Sequence, residues 1–104
     1  MTTVKYYPEE HRIEIKGHAD FAPAGQDIVC AGVSTLMRTL IESVDDPDLF
    51  PMFYMNNAND AEVRVQCYPS EEKEDICKAI FDTVFNGYQA LAQSYPDHVK
   101  AIGG

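Results

Sequence analysis

Basic residues are scarce in this chain: eight Lys and Arg stand against 17 Asp and Glu, a net charge of −9 over 104 residues. Nucleic-acid affinity comes largely from neutralising phosphates, so this balance speaks against direct nucleic-acid binding and favours a basic partner. No apolar run approaches the roughly 20 residues that a membrane span needs. The opening Met1-Thr2-Thr3-Val4-Lys5 shows no signal-peptide core, so the expected setting is the cytoplasm. Cysteines are few, at three, and no C-x-x-C pair occurs among Cys30, Cys67 and Cys77. An odd count in such a setting argues against a disulfide framework and weakens zinc and redox readings. There is no glycine-rich phosphate loop, and no metal or cofactor is expected.

What is present suits one domain over residues 1–104, with 45% hydrophobic residues to build a modest core. Residues 3–7 are β-prone, and Pro8-Glu9-Glu10-His11 reads as a turn. In residues 12–18, Ile13 and Ile15 alternate with Arg12, Glu14 and Lys16, the pattern of a half-buried strand. Residues 28–44 repeat Val29, Val33, Leu36, Leu40 and Val44 at helical spacing, with Cys30, Met37 and Ile41 widening the apolar face. Residues 49–56 are apolar on both faces, which suits a strand that covers a partner subunit or lines a groove. Residues 61–68 alternate with Val63, Val65 and Cys67 inward. A second helix opens at Pro69-Ser70-Glu71-Glu72 with Ser70 as a cap. Its apolar residues fall on one stripe of Ile76, Ile80, Val84, Leu91 and Tyr95 and an adjacent one of Cys77, Phe81, Tyr88 and Ala92. Gly87 marks close packing in that helix, Pro96 stops it, and residues 99–102 form a last strand. The order β-β-α-β-β-α-β is an α+β sandwich, two helices on one face of a mixed, mostly antiparallel sheet.

Chemistry concentrates between Gly17 and Ser34, where a strand ends in Gly17-His18-Ala19, a loop with Pro23 and Gly25 follows, and Asp27 opens the first helix just before Cys30. With Asp27 as the cap, Cys30 is the third helical residue. The positive helix end favours a thiolate there and an imidazolium favours it further, while the Asp27 carboxylate opposes it. Backbone N–H groups near Val29 to Ala31 are candidates for holding an oxyanion. Ser34, four residues on, shares a helix face with Cys30 and either supports the sulfur or bonds back to the Cys30 carbonyl. Strict alternation puts His18 on the polar face, so irregular backbone is predicted at Gly17 to re-aim it. The bland alternatives are a buried helix cysteine and a structural histidine. Cys67 and Cys77 read as core, and the acidic run from Glu71 to Asp75 as a solvated helix start.

The wording of this stretch, G-H-A at 17–19 and G-x-D-I-V-C-A-x-V-S from Gly25 to Ser34, resembles the signature of the ribosomal-processing cysteine protease family (Prp, YsxB-like). Length and element order agree with it over the whole chain. The resemblance implies a cytoplasmic cysteine endopeptidase, usually a homodimer, that removes a short N-terminal extension ending in bulky apolar residues, phenylalanines among them, from a basic large-subunit ribosomal protein, or acts on a phage or prophage protein. It implies Cys30 as nucleophile and His18 as general base, with Gly17, Asp27 and Ser34 at the remaining motif positions. Gly32 departs from the family's commoner alanine. An apolar groove near Phe21, Met52, Phe53 and Tyr54 would suit aromatic substrate residues. Two rivals stand beside this reading: a non-catalytic protein-binding module of the ribosome or of phage assembly, and a thiol sensor oxidised at Cys30.

Overall fold

A computed structural model describes residues 1–17, 26–56 and 61–104, except for the side chains of Gln26 and Asp27. Five strands make one sheet: β1 (Thr2–Tyr7), β2 (Arg12–Lys16), β3 (Met52–Asn56), β4 (Glu62–Gln66) and β5 (Val99–Gly103), in the order β3-β4-β2-β1-β5. Every pairing is antiparallel except β5 on β1, which is parallel. Helices α1 (Gln26–Ser43) and α2 (Glu74–Ser94) lie side by side on one sheet face, giving the two-layer α+β architecture that the periodicities predict.

The alternation seen in sequence is what the sheet uses. Val4, Tyr6, Ile13, Ile15, Val65 and Val99 point into the helical layer and are almost fully buried, meeting Val29, Leu40, Phe81 and Tyr88. Tyr6 stacks on Phe81 and tilts against Phe85, and its hydroxyl donates to Asp82 at 2.6 Å, which seats α2 over β1 and β5. The helices touch where a side chain is missing: a Cβ on Gly87 would lie 2.6 Å from Leu36 Cδ2. Across the same seam the buried Tyr88 hydroxyl donates to the Val33 carbonyl at 3.0 Å.

Several local expectations are corrected. Residues 49–51 are not strand: Asp46 caps a 3₁₀ turn (Pro47–Leu49) by accepting from Asp48 N, and Phe50 turns into the left-handed region at φ 45°, so β3 begins only at Met52. Ser70 makes no side-chain cap bond, because a 3₁₀ turn (Glu71–Lys73) intervenes before α2. Ile76 is 51% exposed, so the stripe of Cys77, Phe81 and Tyr88 faces the core at the start of α2. Helix α1 begins at Gln26 and ends at Ser43, two residues early and one residue short. By these bounds Asp27 lies inside the first turn rather than capping it, and Cys30 is the fifth helical residue.

Candidate active site

Strand β2 leaves the sheet at Gly17, whose φ of +98° is the irregular backbone that the sequence predicts. Its N–H donates to the Ala61 carbonyl at 2.9 Å. A Cβ at this position would lie 2.4 Å from the Met1 carbonyl oxygen, so both the conformation and the space require glycine. The register aligns Lys16 with Glu62 and Glu62 with Asn56, so β2 ends and β3 ends at the same rim of the sheet. Helix α1 starts nine residues after Gly17, at Gln26. His18 and Phe21 fall between them, outside the described residues.

Cys30 is exposed, whereas Cys67 and Cys77 are 1% and 0% exposed and in thiol–thiol contact. Burial, then the neighbouring Cys77, pushes the Cys67 thiol up to about 12 from an ordinary 9.0. Burial also raises Cys77. Both are therefore poor nucleophiles at neutral pH. Cys30 is left as the accessible thiol, and the buried-cysteine reading fails because Cys30 stands beside the core-facing Val29 rather than in line with it.

Helical geometry fixes which way Cys30 looks. Gly32 and Leu36 form the flank that meets Leu91 and Gly87 of α2. At about 100° per residue, Cys30 and Ser34 lie on the opposite flank, with Met37 and Ile41 below them. Since α2 covers β1 and β5, α1 covers the β2–β4 half, and this flank looks towards the outermost strand, β3. Ser34 is exposed there. Side chains on a helix tilt towards its N-terminus, so the Cys30 sulfur leans back over the first turn.

β3 lies beyond the helical roof, and all five of its residues are exposed. Phe53 and Met55 pair with Val65 and Val63, so they stand on the helix side of the sheet, 53% and 61% exposed. They form an apolar shelf alongside the Cys30 flank. Met52 and Tyr54 pair with Gln66 and Arg64 and stand on the opposite face, where the Arg64 guanidinium lies 4.2 Å from the Tyr54 ring centre. The expected grouping of Met52, Phe53 and Tyr54 is thus split by the pleat, and Met55 is a shelf residue that the grouping missed. The signal that could have found it is the two-residue alternation within Met52-Phe53-Tyr54-Met55. Ile28, in the first turn of α1, adds another exposed apolar side chain at 61%. The expected oxyanion donors also shift. With α1 starting at Gln26, the N–H groups of Cys30 and Ala31 are engaged in the helix, and the donors with no acceptor inside the helix are those of Gln26, Asp27 and Ile28. Among the described residues no three His, Cys, Asp or Glu side chains converge as metal ligands, and no helix is long and apolar enough to cross a membrane.

An exposed thiol near a helix start, on the same side of the sheet as the exposed Phe53 and Met55, is compatible with thiol chemistry on a peptide. The family comparison makes this specific: residues 1–100 match the model of cysteine protease Prp, and the chain belongs to that family of cysteine proteases. Solved structures share the fold. SMU.848 from Streptococcus mutans superposes with a TM-score of 0.77 at 25% identity, covering 96% of this chain and 89% of that one. The ribosomal processing protease Prp from S. aureus with a substrate peptide gives 0.74 at 17% identity, covering 97% and 95%. The same protein with a covalently linked product peptide gives 0.77 at 22% identity, covering 97% of both chains. No curated protein matches this chain in sequence.

Proposed function

We propose that this cysteine protease, one domain over residues 1–104, is a cytoplasmic endopeptidase that removes a short N-terminal extension from a basic ribosomal protein of the large subunit, a phage or prophage protein being the other substrate of this kind. The observation that carries the reading is that the motif cysteine is the exposed one of three, in a molecule whose outermost strand exposes Phe53 and Met55 on the helix side. In the mechanism His18 takes the proton from Cys30, the sulfur attacks the scissile carbonyl, and a thioester forms as the amine leaves with a proton from His18. Water then attacks the thioester, releasing the carboxylate and regenerating the thiol. The free N–H groups of the first turn of α1 stabilise the oxyanion. Asp27 orients His18 or serves only the helix end, Ser34 supports the sulfur, and Gly17 aims the His18 backbone. Phe53 and Met55, with Phe21 from the adjoining segment, hold bulky apolar side chains of the substrate. The net charge of −9 draws a basic substrate in. That the S. aureus relative holds a covalently linked product peptide supports a covalent route.

We further infer a homodimer joined along β3, the outermost strand, which carries no charge over Met52-Phe53-Tyr54-Met55-Asn56 and whose five residues are exposed. Sedimentation showing only an 11.7 kDa species at 100 µM would remove the dimer from the proposal without touching the protease.

The deciding experiment incubates Cys30→Ala with a precursor peptide carrying phenylalanines before the scissile bond. Cleavage is expected to vanish while helical content stays unchanged; undiminished cleavage ends the assignment. Iodoacetamide should modify Cys30 alone in the folded protein, which a binding module with no reactive thiol would not show.

A further inference from the structure

The charge of this chain is unevenly divided between its two layers. Among the described residues, the sheet face away from the helices carries Lys5, Arg12, Lys16, Arg64 and Lys100 against Glu14 and Glu62, and Glu10 reaches it by pairing with Arg12 at 3.2 Å. That is a surplus of two positive charges on one face of a molecule whose total is −9, leaving −11 on the remainder. Depth sharpens the contrast. The Glu14 and Glu62 side chains are only 14% and 20% exposed and are drawn against cations, Arg12 to Glu14 at 3.6 Å, Arg64 to Glu62 at 3.5 Å and the 60%-exposed Lys16 to Glu62 at 3.7 Å. Lys5, Lys16 and Lys100 are exposed. The register gathers these three around one residue: Thr3 pairs with Lys16 on one side and Lys100 on the other, and Lys5 follows two positions along β1. Thr3, Lys5, Glu14 and Lys16 line a shallow hollow of about 190 Å³.

Two flat cationic stacks flank this triangle. The Arg12 guanidinium lies 4.2 Å from the Tyr7 ring centre, and Arg64 lies equally close to Tyr54. Bases of a single strand stack on such planes, about 1–3 kcal/mol each where measured by truncation. A flat sheet face with outward lysines and stacked planes suits an unpaired nucleic-acid strand, which brings a ring with every phosphate, better than an acidic peptide, whose charged side chains carry no ring and whose backbone pairs with sheet edges. The acidic helical layer lies a full layer away, about 10 Å, and salt at 0.1 M screens charge over the same distance, so the local surplus governs contact.

We propose that the open sheet face of this protein docks single-stranded RNA, with Lys5, Lys16 and Lys100 taking backbone phosphates and the Tyr7–Arg12 and Tyr54–Arg64 stacks taking bases. The net-charge argument against nucleic acid holds for the chain as a whole and fails on this one face. The proposal is independent of which precursor the protease cleaves.

The test is fluorescence anisotropy of a labelled 12-nucleotide oligouridine with the intact protein at 50 and 200 mM salt. Three phosphate contacts give a slope of about −2 in log K against log salt, so affinity should fall about 20-fold over that range. The double variant Lys5→Glu, Lys100→Glu should bind at least tenfold more weakly while its melting curve and peptide cleavage stay at wild-type level. Tyr54→Leu should weaken oligouridine but leave binding of inorganic polyphosphate unchanged. No binding at 50 mM salt overturns the proposal, as does wild-type affinity in the double variant. Polyglutamate of equal charge binding as tightly as oligouridine overturns it in favour of an acidic protein partner.

Discussion

Truncating Phe53 tests the shelf because the pleat of β3 supplies its own control. Phe53 faces the helix side, along which Cys30 looks, and its neighbour Tyr54 faces the other way. Phe53 is 53% exposed, so of a side chain that buries roughly 200 Å² when fully covered, about 100 Å² is open to a substrate. At about 25 cal/mol per Å², covering it contributes about 2.5 kcal/mol at most, and Phe53→Ala should lose about 2 kcal/mol of it. That is roughly a 30-fold fall in kcat/KM for a substrate with a phenylalanine near the scissile bond. The assay is cleavage of a quenched fluorescent precursor peptide, with sedimentation run in parallel so that loss of a dimer is seen separately. Folding should be little affected, because an exposed ring contributes little to the core. Tyr54→Ala should change kcat/KM less than threefold. Equal losses from both variants, or none from Phe53→Ala, would refute the shelf.

Other outcomes follow from the packing and titration of the core. Tyr88→Phe removes the hydroxyl that donates to the Val33 carbonyl between the helices, at a cost of about 1 kcal/mol, and should lower Tm by about 4–8 °C in a scanning melt. Gly17→Ala forces a side chain into a φ of +98° and against the Met1 carbonyl, so it should destabilise by about 2 kcal/mol or more and depress cleavage through the adjoining His18. Folding raises the Cys67 thiol from 9.0 to about 12, so its contribution is whole below pH 9 and is lost between pH 9 and 12, at about 1.4 kcal/mol per pH unit. Urea unfolding at pH 7.5 and 10.5 should show that loss, and Cys67→Ala should reduce it, the remainder coming from Cys77, which burial also raises. Asp82 is held below its ordinary 3.8 first by Lys78 and then by the Tyr6 hydroxyl, so its contribution is present above that value and lost as the pH falls through the folded range; Asp82→Asn should reduce acid sensitivity below pH 4.

Some features were legible in the chain because they are local. Alternation in Arg12-Ile13-Glu14-Ile15-Lys16 gave a strand with the correct buried face, and the spacing of Val29, Leu36 and Leu40 gave α1. Gly87 was readable as a close approach because a glycine inside a good helix needs a packing reason, and Leu36 supplies it. The ends of elements were harder to read. A 3₁₀ turn at Pro47–Leu49 shortened β3, and another at Glu71–Lys73 displaced the start of α2, since a few capping bonds decide such boundaries rather than periodicity. The motif identified Cys30, yet periodicity widened the apolar face of α1 to include it and so could not separate an exposed thiol from a core one.

By itself, then, the sequence determined the two layers, the residues that fill the space between them and the candidate cysteine, because burial patterns and motif spacing are written residue by residue. Tertiary structure alone decided that β3 lies outside the helical roof, which exposes Phe53 and Met55 beside the Cys30 flank. It also decided that β1, β2 and β5 lie together in the sheet order, which brings Lys5, Lys16 and Lys100 around Thr3. Both depend on which strands become neighbours, and strand order is set by the packing of distant segments against one another rather than by any stretch taken alone.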